Sequence, residues 1–215
     1  MVVEPATIGT GRPASTREVP VARSIAVTFD YRCPFAYNGN AAVIAAVRAG
    51  SDVEFRYTPF SLDQAHTEEG EAPVWERDPE AWGTGTLALL YGLAVRDAFP
   101  EHFFDAHLAL FAARHDKGLK LGHEDVVRDA VAEAGLDPDA VAEEVASGRP
   151  LKTLATEHQE AVDRWEVWGV PTYIEGEEAV FVRFMERGRV DDLERAIDML
   201  QWSRLNEFKR TRISR

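Results

Sequence analysis

The sequence predicts an α/β fold: a mixed sheet made of a βαβ half and a ββα half, with an all-helical insertion between them. Three observations carry this. Residues 24–29 form a short apolar run, residues 34–50 follow a helical pattern, and residues 53–57 alternate apolar and polar. Strand, helix and strand in so short a span make a βαβ unit, whose crossover sets the two strands parallel. Far downstream, residues 172–175 and 179–184 flank Gly176-Glu177-Glu178 as a hairpin would, and an amphipathic helical pattern follows. Between the halves the helical period dominates.

In chain order, Met1 to Arg23 has no apolar core of the kind a signal peptide carries. With Pro5, Pro13 and Pro20 it reads as an extended or disordered leader, residues 1–23. Ser24 to Phe29 suits a buried strand. The helix after Cys33 spaces Tyr37, Ala41, Ile44 and Val47 on one face and ends near Gly50. Val53 to Tyr57 alternates like a half-buried strand, and Thr58-Pro59-Phe60 closes it. Leu62 to about Pro79 is polar and reads as a loop with Trp75 and Trp82 as anchors, placed to act as a lid. Helices are expected at about 85–99, 101–115, 124–134, 138–147 and 150–165. Their ends are marked by acids in a first turn, by Asp137-Pro138 and by Gly135 and Gly148. A last helix at 190–202 places Leu193, Ala196, Ile197 and Leu200 on one stripe. Residues 203–215 form a basic tail. The expected division is therefore a core at 24–65 and 166–202 and an insertion at 66–165.

The chain has 215 residues, 45% of them hydrophobic, which is enough for a substantial core. A formal net charge of -13 argues against a nucleic-acid partner and against an anionic membrane surface. No apolar run approaches the roughly 20 residues of a membrane helix. One cysteine cannot form an internal disulfide, so the expected compartment is cytoplasmic.

That cysteine lies where the first strand hands over to the first helix, in Phe29-Asp30-Tyr31-Arg32-Cys33-Pro34-Phe35-Ala36-Tyr37. A lone cysteine is ordinarily a small buried hydrophobe. Here Pro34 suits the first helical position, which puts Cys33 at the helix N-terminus among unpaired amides. Those amides and the helix dipole favour an anion, so the thiol pKa is expected to fall and Cys33 to act as a nucleophile. A second motif, Trp168-Gly169-Val170-Pro171-Thr172, places a proline at the entrance of a strand, where its missing N–H is tolerated.

Together, the strand ending in F-D-Y, the C-P-F-A-Y run and the late W-G-V-P-T resemble the DsbA-like branch of the thioredoxin superfamily. That branch includes FrnE-type oxidoreductases, kappa-class glutathione transferases and 2-hydroxychromene-2-carboxylate isomerases. The resemblance covers about Ile25 to Trp202 and implies a thioredoxin-like core carrying a helical insertion. It also implies that Cys33 is the catalytic residue and that Pro34 and Phe35 line the thiol site. Pro171 would be a cis-proline beside the cysteine, with the backbone of Val170 pairing with an incoming thiol compound and Thr172 at the edge.

The sequence departs from a dithiol C-x-x-C at Ala36, and no other cysteine exists to resolve a mixed disulfide. The expected activity is a monothiol thiol–disulfide oxidoreductase or thiol-transferase, with no tightly bound cofactor and a small thiol such as glutathione or mycothiol as co-substrate. A thiol-cofactor-dependent isomerase or transferase is the alternative, although those relatives generally carry serine at the Cys33 position. A redox-inactive binding protein of the same fold is the third. Partners are expected to be small thiols or disulfides, and the resemblance is compatible with a homodimer. Arg32 is read either as a cation favouring thiolate or as a solvated loop residue, and Tyr37 as core packing. The six histidines show no zinc spacing.

Overall fold

The structure is a computed structural model that describes residues 23–207. The expected leader, apart from Arg23, and the tail from residue 208 onward lie outside the described residues. Four strands form one sheet in the order β2-β1-β3-β4. They are β1 (Ser24–Phe29), β2 (Glu54–Pro59), β3 (Thr172–Glu175) and β4 (Glu178–Phe181). β1 and β2 are parallel, whereas β3 runs antiparallel to both β1 and β4. The mixed sheet is thus the one the two half-patterns imply. β1 is central and buried along its length, which is why it reads as an unbroken apolar run.

Helix α1 (Pro34–Arg48) returns the chain from β1 to β2. After β2 comes a four-residue helix, α2 (Leu62–Ala65), where the sequence suggested only loop. The Ser61 hydroxyl caps it by accepting from Gln64 N at 3.1 Å. The rest of that polar stretch holds two single 3₁₀ turns, Val74–Glu76 and Pro79–Ala81. Val74 is fully buried and the Trp75 ring lies 5.6 Å from His158, so the stretch is pinned to the helical layer. The helical layer itself comprises α3 (Thr86–Ala98), α4 (Phe103–His115), α5 (Glu124–Glu133), α6 (Pro138–Ala146) and α7 (Arg149–Trp165). α8 (Val190–Met199) ends the fold. α1 covers the sheet face bearing Tyr173, whose hydroxyl points at Gly39, while α7 flanks the opposite face beside Ala26 and Ile174.

Several boundaries differ from the sequence pattern, among them β2, which runs on to Pro59. β4 stops at Phe181, since Arg183 and Met185 beyond it are exposed and the chain turns to run along α1 instead. α4 starts at Phe103 because Pro100 opens a separate 3₁₀ turn. α8 ends at Met199, short of Trp202. Arg23 belongs to the fold rather than to the leader. It donates to both carboxylate oxygens of Glu175 at 2.7 and 2.6 Å and to the Ile197 carbonyl at 3.1 Å.

The sheet and the helical layer meet at Tyr31, which is fully buried. Its ring packs edge-on against Phe29 and Phe111, and its hydroxyl bonds His107 Nδ1 at 2.7 Å. α3 crosses this ring at Gly92, where an added Cβ would fall 2.1 Å from the Tyr31 hydroxyl and 2.8 Å from ring carbons. Neither Tyr31 nor the helix has room to move. Gly92→Ala would gain about 1 kcal/mol of helix propensity, but overpacking of this kind costs about 1–3 kcal/mol. The expected net result is destabilisation, read as a lower midpoint in urea unfolding with an unchanged slope.

Candidate active site

Cys33 is the N-cap residue of α1, with extended backbone angles (φ -90°, ψ 117°) and Pro34 following at the first helical position. The turn leading to it is closed by Cys33 N donating to Asp30 O at 3.0 Å. The sulfur is half-buried. Its thiol donates to the Val170 carbonyl at 3.4 Å, across 137 residues of sequence. The Val170–Pro171 peptide is cis. The two motifs, far apart in the chain, therefore meet at the end of the central strands.

The remaining candidates divide by what they touch. Pro34 is exposed beside the sulfur, and Phe35 is half-buried with the Arg183 guanidinium 5.4 Å from its ring centroid. Val170 is 3% exposed and meets the sulfur through its main-chain carbonyl. The Pro171 carbonyl accepts from Val182 N at 3.2 Å, which ties the loop to the strand side. Thr172 is occupied structurally: its N–H donates to Thr28 Oγ1 at 2.8 Å and its hydroxyl to Gly169 O at 2.8 Å. Tyr37 stacks on Phe111 and donates to Asp116, as a packing residue would. Arg32 is engaged elsewhere, pairing with Asp63 at 2.7 Å and reaching Asp30 at 3.9 Å. Asp63 in turn accepts from Gly85 N and Thr86 N at the start of α3, at 3.1 and 3.2 Å. Arg32 thus fastens the strand–helix turn to the helical layer, which neither sequence reading of it anticipated.

The thiol pKa moves opposite to the sequence expectation. Burial pushes the Cys33 thiol up; the amides of Ala36 and Phe35 pull it down by less, the Asp30 charge raises it, and Arg183 lowers it. The helix N-terminus is present, but half-burial outweighs it. Asp30 is fully buried, and that burial raises its carboxyl to about 6 against the opposing bonds from Arg32 N and Leu62 N, each 2.8 Å long. At neutral pH it is largely ionised and acts on Cys33 as a negative charge. Asp30 is both a buried carboxylate and the residue that closes the turn to Cys33. Arg183 was missed because it is distant in sequence and lies in a loop with no motif.

A cavity of about 480 Å³ opens elsewhere, between the sheet at Ala26, Arg56 and Ile174 and α7 at Glu157 and Trp165. It contains none of these site residues. Among the described residues no cluster of His, Cys, Asp and Glu is arranged to hold a metal, and no helix is long and apolar enough to cross a membrane.

With this geometry in view, the comparisons with known proteins are specific. The family model described as DSBA-like thioredoxin domain matches residues 84–198, which take in the helical layer, the Val170–Pro171 loop, β3, β4 and nearly all of α8. The chain belongs to that family. Crystal structures with the same fold include Pseudomonas aeruginosa DsbA, at 20% identity and a TM-score of 0.60, covering 92% of this chain and 90% of that one. The oxidoreductase DsbA from Xylella fastidiosa is similar at 18% identity and a TM-score of 0.57, covering 84% and 86%. A protein of Bacillus subtilis (strain 168) described as uncharacterized protein YwbO is 26% identical over 182 residues, 73% of this chain and 88% of that one. As a DsbA-like member of the thioredoxin superfamily, the chain carries its single thiol at the strand–helix junction.

The pKa balance sets a pH dependence. Because the folded thiol lies above its ordinary value, the thiolate fraction near neutral pH is lower than for a free cysteine, whose pKa is about 8.5. Alkylation of Cys33 by iodoacetamide should accelerate with pH and inflect above that value. In Asp30→Asn the inflection should move down, since a negative charge beside the sulfur is removed.

Proposed function

We propose that the protein performs thiol–disulfide exchange through Cys33 as its only thiol, with a low-molecular-weight thiol such as glutathione or mycothiol as co-substrate. The observation that carries this reading is the contact between the half-buried Cys33 sulfur and the Val170 carbonyl beside Pro171. It sets the nucleophile next to a backbone edge able to hold an extended thiol compound. The Cys33 thiolate attacks one sulfur of a disulfide R–S–S–R′. The Cys33–S–S–R bond forms, the S–S bond of the substrate breaks, and R′S⁻ leaves with the electron pair and takes a proton from solvent. A second small thiolate then attacks the R-bearing sulfur, releasing Cys33 and a new small disulfide. The step requires an external thiol, because Ala36 is in the resolving position and the chain has one cysteine.

One observation favours a second reading. With its pKa raised, Cys33 is mostly a thiol at neutral pH and donates a hydrogen bond to Val170 O. A hydroxyl in the same place could do as much. A thiol-cofactor-dependent isomerase or transferase would use residue 33 in this way, orienting a bound small thiol without joining it covalently.

Cys33→Ser separates the two. Under the exchange reading, reduction of a small mixed disulfide falls to the rate of the free thiol alone and no protein–thiol adduct is seen by mass spectrometry. Retained activity in Cys33→Ser would leave only the second reading. The converse variant Ala36→Cys restores a dithiol and should form an intramolecular disulfide, seen as a loss of two hydrogen masses on mild oxidation.

A further inference from the structure

The segment between β4 and α8 runs along the first turns of α1. The Asn38 amide donates to Phe184 O at 2.9 Å, and Gly188 N donates to Asn38 O at 3.4 Å. Three arginines lie on this segment, and they differ. Arg187 holds both carboxylate oxygens of Asp116 at 2.9 Å and lies over the Tyr37 ring. Arg189 is paired with Glu186 and Asp191. Arg183 makes no ion pair among the described residues. Its guanidinium instead lies 5.4 Å from the ring centroids of both Phe35 and Phe181.

Those two rings belong to the site. Phe35 is two residues beyond Cys33. Phe181 packs against Gly169, where an added Cβ would meet its ring at 3.2 Å, and against Trp168 at 4.4 Å. The loop that Phe181 touches is the one whose Val170 carbonyl bonds the thiol. Trp168 is 69% exposed, so an apolar surface faces solvent on the loop that bonds the sulfur, with Arg183 on the neighbouring Phe181 ring. Aromatic faces hold a guanidinium by its charge and plane without using its in-plane N–H donors. The donors stay free, and the positive charge reaches the sulfur as well. In a chain of net charge -13 an anionic substrate is otherwise repelled, so a single unneutralised cation at the cleft decides which sign is accepted.

We infer that Arg183 is a specificity-determining residue that pairs with a carboxylate on the substrate, and that the substrate is a small disulfide or thiol with an apolar or aromatic body and an acidic group near its sulfur. This rests on the exchange reading above, since it names the substrate class of the same thiol.

The test compares two aromatic disulfides, 5,5′-dithiobis(2-nitrobenzoate), which bears a carboxylate on each ring, and 4,4′-dithiodipyridine, which is uncharged. Each transfers one aryl thiol to Cys33 and releases the other as a coloured thiolate or thione, so both rates are read optically at one fixed pH. The ratio of the two rates cancels any change in the thiolate fraction. Low salt should favour the carboxylate probe in the wild type, and Arg183→Gln should lower the ratio about fivefold, the scale of an exposed ion pair. Arg183→Glu should lower it further, Arg183→Lys should keep most of it, and high salt should erase the wild-type preference. An identical ratio in wild type and Arg183→Gln overturns the assignment while leaving the exchange reading intact. If native Cys33 reacts with neither disulfide, the exchange reading fails and the assignment fails with it.

Discussion

The fold around the Cys33 sulfur depends on a buried carboxylate. Asp30 directly follows β1, and its three oxygens fix the chain where β1 gives way to α1: the main-chain carbonyl accepts from Cys33 N, and the side chain accepts from Arg32 N and Leu62 N. The first two bonds set the turn that aims Cys33; the third fastens the start of α2 to the same point. The cost is visible in its titration. A carboxyl whose folded pKa of about 6 exceeds its unfolded value destabilises the fold as it ionises. That penalty is absent below the unfolded value near 3.9 and complete above the folded one. The bonds to two amides are what make ionisation tolerable there at all.

A second buried chain locks α1 to the helical layer. Tyr31 donates to His107 Nδ1, His107 Nε2 donates to Asn40 Oδ1, and the Asn40 amide donates to Ala36 O in the first turn of α1. Burial holds the His107 imidazole neutral, at about 3, which fixes one N–H and one acceptor and so the direction of the whole chain. His115 donates to the Tyr31 carbonyl from the other end of α4. The insertion is therefore bonded to the residues flanking Cys33 as well as packed on the sheet. It stabilises the strand–helix turn from behind while leaving the Pro34, Phe35 and Trp168 side open.

At the sulfur two effects compete. Helix amides favour an anion, and removal of water disfavours it; at half-burial the second prevails. Arg183 is a cation that opposes the upward shift without reversing it. The Phe35 and Phe181 rings flank that guanidinium, each with its centroid 5.4 Å away.

The sequence by itself determined the elements and their order. The apolar run of β1, the helical stripe after Pro34 and the late hairpin are local patterns, set by side-chain period and by what Gly and Pro permit within a few residues. It also marked Cys33, at a helix start where Pro34 has a clear backbone meaning, and, through the resemblance to the DsbA-like branch, the Val170–Pro171 loop. What only the tertiary structure decided are quantities that depend on groups far apart in the chain. The sign of the thiol pKa shift turned on how much water the packed loops exclude, which no local pattern encodes. Arg32, one residue from the cysteine, spends its charge on Asp63, whereas Arg183, 150 residues away, delivers its charge to the cleft. Electrostatics follows distance in space, and only folding fixes that distance.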